Sequence, residues 1–156
     1  MGFSHIGISV PASKFDETVA FYLATLAPLG YKEHVRPAPH VVGLGIYYPD
    51  FWISKPPPPE NEEGDDTTTK YVSTHVAFSV NSRELVHAFH TAGLKAGGTC
   101  NGPPGPRPQY TRTYYASFLI DPAGNNIETV CMWPAWSHLG YWVGSGQAFS
   151  KKKKGE

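Results

Sequence analysis

The chain has 156 residues, with 13 lysines and arginines against 13 aspartates and glutamates, so its formal net charge is zero when the histidines are neutral. This balance argues against a nucleic-acid-binding protein, which normally carries a basic surplus on one face. Hydrophobic residues make up 40% of the chain and charged residues 17%, a composition typical of a globular domain rather than a disordered one.

Membrane and secretion signals are not evident in the sequence. Apolar runs fall short of the roughly 18 residues that a membrane-spanning helix needs, and the first ten residues lack the basic and apolar regions of a signal peptide. Cys100 and Cys131 do not form a Cys-x-x-Cys pair, which fits a reducing compartment. We therefore expect a cytoplasmic protein.

An internal repeat begins at the N-terminus. Residues 4–10 read SHIGISV and residues 74–80 read THVAFSV, so that His5 corresponds to His75. Both segments alternate apolar with small or polar residues, which is the pattern of a strand with two different faces. Ile6 and Ile8 are predicted on one face, and His5 and Gly7 on the other. A duplication of this kind largely determines the fold.

A helix is predicted after each of these strands. In the first copy, Ser13 is the candidate N-cap and Gly30 the expected terminator. In the second copy, Asn81 and Glu84 resemble a capping box, and Gly97 ends the helical pattern. The two copies therefore continue in parallel beyond their first strands.

Extended segments follow each helix, at residues 40–48 and 50–54 in the first half and at residues 114–120 and 125–133 in the second. The Asp-Pro-x-Gly sequence at 121–124 predicts a tight turn between the last two strands. Residues 98–112 are too rich in proline and glycine for an ordered central strand, and we expect them to form a loop over the site.

These elements divide the chain into four segments of one domain. Residues 1–54 form a first βαβββ module, residues 55–70 a proline-rich acidic linker, residues 71–133 a second βαβββ module, and residues 134–156 a C-terminal extension with a lysine-rich tail. The predicted class is α+β, with the two paired modules forming a curved, barrel-like mixed sheet around a central cavity.

The repeat makes two histidines candidates for metal binding. If the modules pack about a pseudo-twofold axis, the equivalent His5 and His75 face one cavity. Glu128 lies on the strand face opposite Ile127 and Thr129, and burying its carboxylate without a partner costs several kcal/mol, which a divalent cation can relieve. Two histidines and one glutamate leave coordination positions open for water and substrate, as catalytic metal sites do.

These residues resemble the vicinal oxygen chelate superfamily, which includes glyoxalase I, fosfomycin and bleomycin resistance proteins, and extradiol dioxygenases. The resemblance covers residues 3–133 and is most specific in the paired first strands and in DPAGNNIE, which ends at Glu128. It implies His5, His75 and Glu128 as ligands of one divalent ion: Zn, Ni, Co, Mn or Fe. We also expect a small-molecule substrate and a homodimer.

The sequence departs from the best-known members of this family at two positions. Trp52 aligns with Glu128, where a four-ligand glyoxalase has a carboxylate that also serves as the base. Phe118 stands three residues before the Asp-Pro turn, where extradiol dioxygenases usually have tyrosine. We expect a glyoxalase-like lyase or isomerase that chelates vicinal oxygens of its substrate. An Fe(II) extradiol-type dioxygenase and a non-catalytic resistance-type binding protein are the alternatives.

Further side chains are candidates for the wall of the cavity. An arginine near a metal can hold a carboxylate, phosphate or enolate through two hydrogen bonds, and aromatic rings suit a flat or apolar substrate. The substrate-binding candidates are Tyr48, Trp52, Arg107 and Arg112, and the catalytic candidates are Tyr115, Tyr110 and His40.

Overall fold

The computed structural model describes residues 3–57 and 71–132. Most of the predicted linker and the predicted C-terminal extension lie outside the described residues. Within the described part of the chain, no helix is long and apolar enough to cross a membrane.

Each module folds as a strand, a helix and three further strands. The first module consists of β1 (Ile6–Ser9), α1 (Phe15–Leu26), β2 (Lys32–Ala38), β3 (Val41–Gly45) and β4 (Phe51–Ser54). The second consists of β5 (His75–Ser79), α2 (Arg83–Lys95), β6 (Thr99–Pro106), β7 (Tyr115–Ile120) and β8 (Asn126–Cys131).

The two sheets share one topology. Their strand orders are β1-β4-β3-β2 and β5-β8-β7-β6; the first strand of each module runs parallel to the last, and the remaining pairs are antiparallel. The predicted α+β class with two βαβββ modules is therefore confirmed. The described strands form two open mixed sheets rather than a closed barrel.

The predicted loop at residues 98–112 is wrong over its first half, because Thr99–Pro106 is strand β6. This strand lies at the edge of its sheet. A proline has no N–H to donate, and on the outer side of an edge strand no neighbouring strand needs one. The same reason explains the unpredicted strand β2, which contains Pro37 and is the edge strand of the first sheet.

The helix ends agree only partly with the prediction. A 3-10 turn precedes α1, and Ser13 does not cap it; the N-cap is Lys14, without a side-chain hydrogen bond. The cap of α2 is Ser82 rather than Asn81, and its Oγ accepts a hydrogen bond from the Leu85 N–H at 3.3 Å. Gly97, just after α2, has a φ of 95° and is confirmed as a terminator, whereas Gly30, with a φ of 90°, ends the 3-10 turn Ala27–Leu29 that follows α1.

A single hydrophobic core joins the two modules. Helix α1 packs against α2, and the ring of Phe51 on β4 lies 5.3 Å from that of Phe78 on β5. The buried Tyr22 of α1 donates a hydrogen bond of 2.9 Å to Asp121, in the turn after β7. The helix-covered sides of both sheets therefore share this core. The opposite side of each sheet carries exposed small residues such as Gly7 and Ala77 and is the open face of its module.

Gly93 of α2 lies where this helix packs tightly against α1 and β7. A Cβ atom at this position would lie 3.1 Å from Thr25 Cγ2 of α1 and would overlap Leu119 Cδ1 of β7. We expect Gly93→Ala to lower the free energy of unfolding by about 1–3 kcal/mol because of overpacking, although alanine favours a helix by about 1 kcal/mol. Urea unfolding measures the change, with the exposed helix position Thr91→Ala as control. A Gly93→Ala protein as stable as wild type would contradict this packing.

Candidate functional site

The open face of the second module presents an acid–imidazole pair. The parallel pairing of β5 with β8 places Ala77 beside Glu128, and the small alanine leaves space next to the carboxylate. His75, two residues earlier on β5, places its Nε2 3.2 Å from Glu128 Oε2. The Glu128 side chain is only 3% exposed, whereas that of His75 is 51% exposed. The pair therefore has a buried acidic partner and an imidazole open to solvent.

The hydrogen bond on the other side of the His75 ring fixes its protonation pattern. Nδ1 lies 3.1 Å from the backbone carbonyl oxygen of Asn126, and because a carbonyl can only accept, Nδ1 carries a hydrogen. In the neutral ring, Nε2 therefore presents a lone pair to Glu128 Oε2. Two lone pairs at this distance would repel each other, so the contact is satisfied by a proton that the two atoms share or by a cation bound to both.

Tyr114, the last residue before β7, provides the second partner of the buried carboxylate. Its hydroxyl donates a hydrogen bond of 2.6 Å to Glu128 Oε1, and its ring lies 4.9 Å from that of Tyr110. Burial, the hydrogen bond to Glu128 and the negative charge of Glu128 raise the pKa of Tyr114 well above its usual range. The phenol is therefore a hydrogen-bond donor at neutral pH.

Sequence reasoning missed Tyr114, although the signal was present. The pairing of Phe118 with Glu128 places both side chains on the same face of the sheet, and a residue four positions before Phe118 has the same parity. Tyr115 has the opposite parity. The Asp-Pro-x-Gly turn that fixes this register is evident in the sequence, so parity alone distinguishes the two tyrosines.

Tyr115 lies on the helix-covered side of the sheet, away from the carboxylate. Its hydroxyl is 2.8 Å from His87 Nε2 on α2, and the Arg83 guanidinium lies 4.7 Å from its ring centroid. Tyr115, predicted as a catalytic candidate, therefore does not lie beside Glu128. Its contacts are those of a strand residue packed on a helix.

Arg107 lies on the open face near the pair. Its guanidinium is 5.6 Å from the ring centroid of Phe118, and that ring stacks at 6.4 Å on His75. The guanidinium also donates hydrogen bonds to the carbonyl oxygens of Pro103, at 2.7 Å, and Pro106, at 3.1 Å. These bonds hold the cation in a fixed orientation at the edge of the open face.

The first module carries the counterpart of this site with a different residue. Gly7 pairs with Trp52 as Ala77 pairs with Glu128, so the predicted correspondence between Trp52 and Glu128 is confirmed. The indole lies over Gly43, where a Cβ atom would be 3.0 Å from the Trp52 ring. This part of the open face is therefore aromatic where the second module is acidic.

His5 is exposed, with its Nδ1 3.3 Å from Ser4 Oγ. Within residues 3–57 and 71–132 there is no group of three or more His, Cys, Asp or Glu side chains placed to hold a metal ion. The structure thus brings together His75 and Glu128 of the predicted set, and His5 does not join them within one chain. The three-residue metal set stays a prediction.

The remaining candidates lie in connections between strands. Tyr48, 61% exposed, follows β3, and His40 is in the turn between β2 and β3, where its carbonyl oxygen accepts a hydrogen bond from the Lys55 N–H. Tyr110 and Arg112 are exposed in the connection from β6 to β7. Of these four residues, Tyr110 contacts the ring of Tyr114, whose hydroxyl is bonded to Glu128.

Solved structures share this fold over most of the chain. A glyoxalase/bleomycin resistance protein from Albidiferax ferrireducens is 25% identical, with a TM-score of 0.60 over 80% of this chain and 95% of that chain. A glyoxalase/bleomycin resistance protein/dioxygenase family enzyme from Burkholderia phytofirmans is 19% identical, with a TM-score of 0.61 over 85% and 100%. A lactoylglutathione lyase from Agrobacterium tumefaciens is 16% identical, with a TM-score of 0.53 over 80% and 90%. No protein-family model matches the chain, and neither does any curated protein.

The two βαβββ modules and these neighbours define the chain as a protein with the vicinal oxygen chelate fold. The resemblance based on the paired first strands and on the segment ending at Glu128 is therefore confirmed. The neighbours carry glyoxalase, bleomycin resistance and dioxygenase names. Because these names cover different activities, the fold does not specify one reaction.

Proposed function

We propose that the protein is a divalent-metal-dependent enzyme of the vicinal oxygen chelate type, a glyoxalase-like lyase or isomerase acting on a small oxygenated substrate. The observation that carries the proposal is the pair of potential metal ligands, His75 Nε2 and Glu128 Oε2, 3.2 Å apart. Two ligands that each lie about 2.1 Å from one metal at tetrahedral or octahedral angles are themselves roughly 3.0–3.5 Å apart. The observed spacing suits a shared cation.

The surroundings of the pair fit the same interpretation. Metal-ligating histidines usually donate their other ring N–H to a carbonyl or carboxylate, as the bond from His75 to the Asn126 carbonyl does. The buried Glu128 supplies negative charge to a divalent ion, and the exposed side of His75 leaves room for substrate. Nitrogen and oxygen donors of this kind accept Zn, Ni, Co, Mn or Fe.

We propose that His5 completes the site from a second copy of the chain. The modules of one chain share a core on their helix-covered sides, so their open faces lie on the outside, where His5 and His75 are both exposed. In the symmetric dimer that we propose, the open face of the first module of one copy meets that of the second module of the other, and the twofold axis repeats this contact. The metal would then be held by His75 and Glu128 together with His5 of the partner subunit.

A cation bound there would polarise two adjacent oxygens of the substrate and stabilise the negative charge that develops on them. Residues of this chain contribute orientation and exclusion of water. Tyr114 holds the Glu128 carboxylate, the Phe118 ring forms a flat wall beside His75, and the fixed Arg107 cation faces an anionic substituent of the substrate. Trp52 can stack on a flat substrate, but its indole cannot take up a proton.

The alternatives differ in measurable ways. A ring-cleaving Fe(II) dioxygenase is less consistent with Phe118, which has no hydroxyl for acid–base chemistry, and it would consume oxygen with catechols. A non-catalytic binding protein is favoured by one observation, the apolar Trp52 where a base would be. Such a protein would bind its ligand without needing the cation.

Metal binding tests the proposal most directly. The purified protein is stripped with a chelator and titrated with Zn, Ni, Co, Mn and Fe(II), and bound metal is measured by elemental analysis and calorimetry. We expect one ion per chain for at least one metal, and its loss in His75→Ala and Glu128→Gln. Glu33→Gln, which removes an exposed carboxylate paired with Arg36, is the matched control and retains binding. A wild-type protein that binds none of these ions would refute the metal-dependent function.

A further inference from the structure

We infer that Tyr114 is a positioning residue that makes Glu128 a ligand through one oxygen only. This inference rests on the proposed metal site and adds a residue that neither the repeat nor the resemblance identifies. Tyr114 orients the carboxylate before any ion is bound.

The two oxygens of Glu128 have different partners. Oε1 accepts the Tyr114 hydroxyl at 2.6 Å, and Oε2 faces His75 Nε2 at 3.2 Å. A distance of 2.6 Å is at the short end for a hydroxyl donating to a carboxylate, as charge-assisted bonds are. Because the side chain is 3% exposed, water has little access to replace the phenol. The hydrogen bond therefore selects Oε2 as the oxygen directed to the cation position.

Tyr114 is itself held by the turn before β7. Its backbone N–H donates to the Thr111 carbonyl at 3.2 Å, its carbonyl accepts the Arg107 N–H at 2.8 Å, and its ring contacts that of Tyr110 at an interplanar angle of 54°. The phenol is thus fixed at three points independent of Glu128. A donor that is held independently of the carboxylate can orient that carboxylate, whereas a mobile donor would move with it.

Removing the hydroxyl should change both the affinity and the coordination. In Tyr114→Phe, Oε1 loses its donor, and the carboxylate can rotate or bind the ion through both oxygens. Loss of a hydrogen bond to a metal ligand typically weakens metal binding about 10- to 100-fold. We expect a loss of that size for Co²⁺ and an altered d–d absorption spectrum, which reports the number of ligands around the ion.

The test uses Co²⁺ titrations of the full-length wild type, Tyr114→Phe and Tyr115→Phe, followed by calorimetry and by visible absorption. Tyr115→Phe removes the neighbouring hydroxyl from the opposite face of the sheet, where it contacts His87, and should match the wild type in both readouts. Circular dichroism and thermal melting verify that each variant is folded, and if Tyr114→Phe melts early, all three proteins are titrated at a temperature well below its transition.

The outcomes separate the inference from the function on which it rests. Wild-type protein that fails to bind Co²⁺ or any other tested ion counts against the metal site as a whole. Wild-type binding with an unchanged affinity and spectrum in Tyr114→Phe would overturn the positioning role and leave the metal site standing. Equal losses in Tyr114→Phe and Tyr115→Phe would also overturn it, because the effect would then not be specific to the hydroxyl on Glu128.

Discussion

Mixing two variants that each lack metal binding, His5→Ala and Glu128→Gln, restores part of that binding if the site is shared between subunits. In a hybrid dimer one of the two sites receives His5 from the Glu128→Gln chain and Glu128 from the His5→Ala chain, and both residues are intact there. About half of the dimers in an equal mixture are hybrids with one intact site of two, so about a quarter of all sites should recover. Bound metal after unfolding and refolding of the mixture measures this recovery.

The matched control for this experiment mixes His75→Ala with Glu128→Gln. These two residues lie 3.2 Å apart on one open face, so every site of a hybrid dimer contains one of the two changes and no recovery is expected. Native mass spectrometry confirms that hybrids have formed. Hybrids without recovered binding in the first mixture would show that the metal does not join two subunits at His5.

We expect Asp121→Ala to lower the free energy of unfolding by about 3–5 kcal/mol, more than Gly93→Ala does. The Asp121 carboxylate is 4% exposed. Its Oδ2 accepts hydrogen bonds from Tyr22 Oη at 2.9 Å and Asn125 Nδ2 at 2.7 Å, and its Oδ1 accepts from the Ala123 and Asn125 backbone N–H groups, each at 2.8 Å. Alanine leaves these buried donors without an acceptor. Urea unfolding measures the loss.

Two milder changes divide this effect into its parts. Tyr22→Phe removes only the bond that joins α1 to the turn and should cost about 1 kcal/mol. Asp121→Asn keeps one acceptor oxygen for the two backbone N–H groups and should fall between the other variants. An Asp121→Ala protein that unfolds within about 1 kcal/mol of the wild type would mean that the turn is held by its backbone and not by the carboxylate.

Much of this fold could be predicted because its signals are local and occur twice. The alternation in SHIGISV and THVAFSV defines the two faces of the first strands, and the Asp-Pro-x-Gly turn sets the register that pairs Phe118 with Glu128. Positive φ angles at Gly30 and Gly97 follow from the need for a left-handed residue at a helix end. These features depend on neighbouring residues in the sequence.

The features that were predicted wrongly depend on where a strand lies in its sheet or on contacts between residues far apart in the sequence. Whether Pro103, Pro104 and Pro106 can occupy a strand depends on whether that strand lies at an edge, which the local sequence does not specify. The packing of both modules on one core places their open faces outward, and this arrangement decides whether His5 can reach Glu128. The cap of α2 lies one residue from its predicted position because serine and asparagine are equally good at the N-cap, whereas α1 begins one residue later because a 3-10 turn precedes it.

The indole of Trp52 has a consequence for any redesign of the repeat. Because its ring fills the surface over Gly43, a glutamate introduced at position 52 would replace hydrocarbon with charge and leave a groove above the glycine. The two halves are thus no longer interchangeable at this point, although their backbones match. A glutamate at position 52 would therefore not by itself make the two halves equivalent, because the space that the indole fills over Gly43 would be left open.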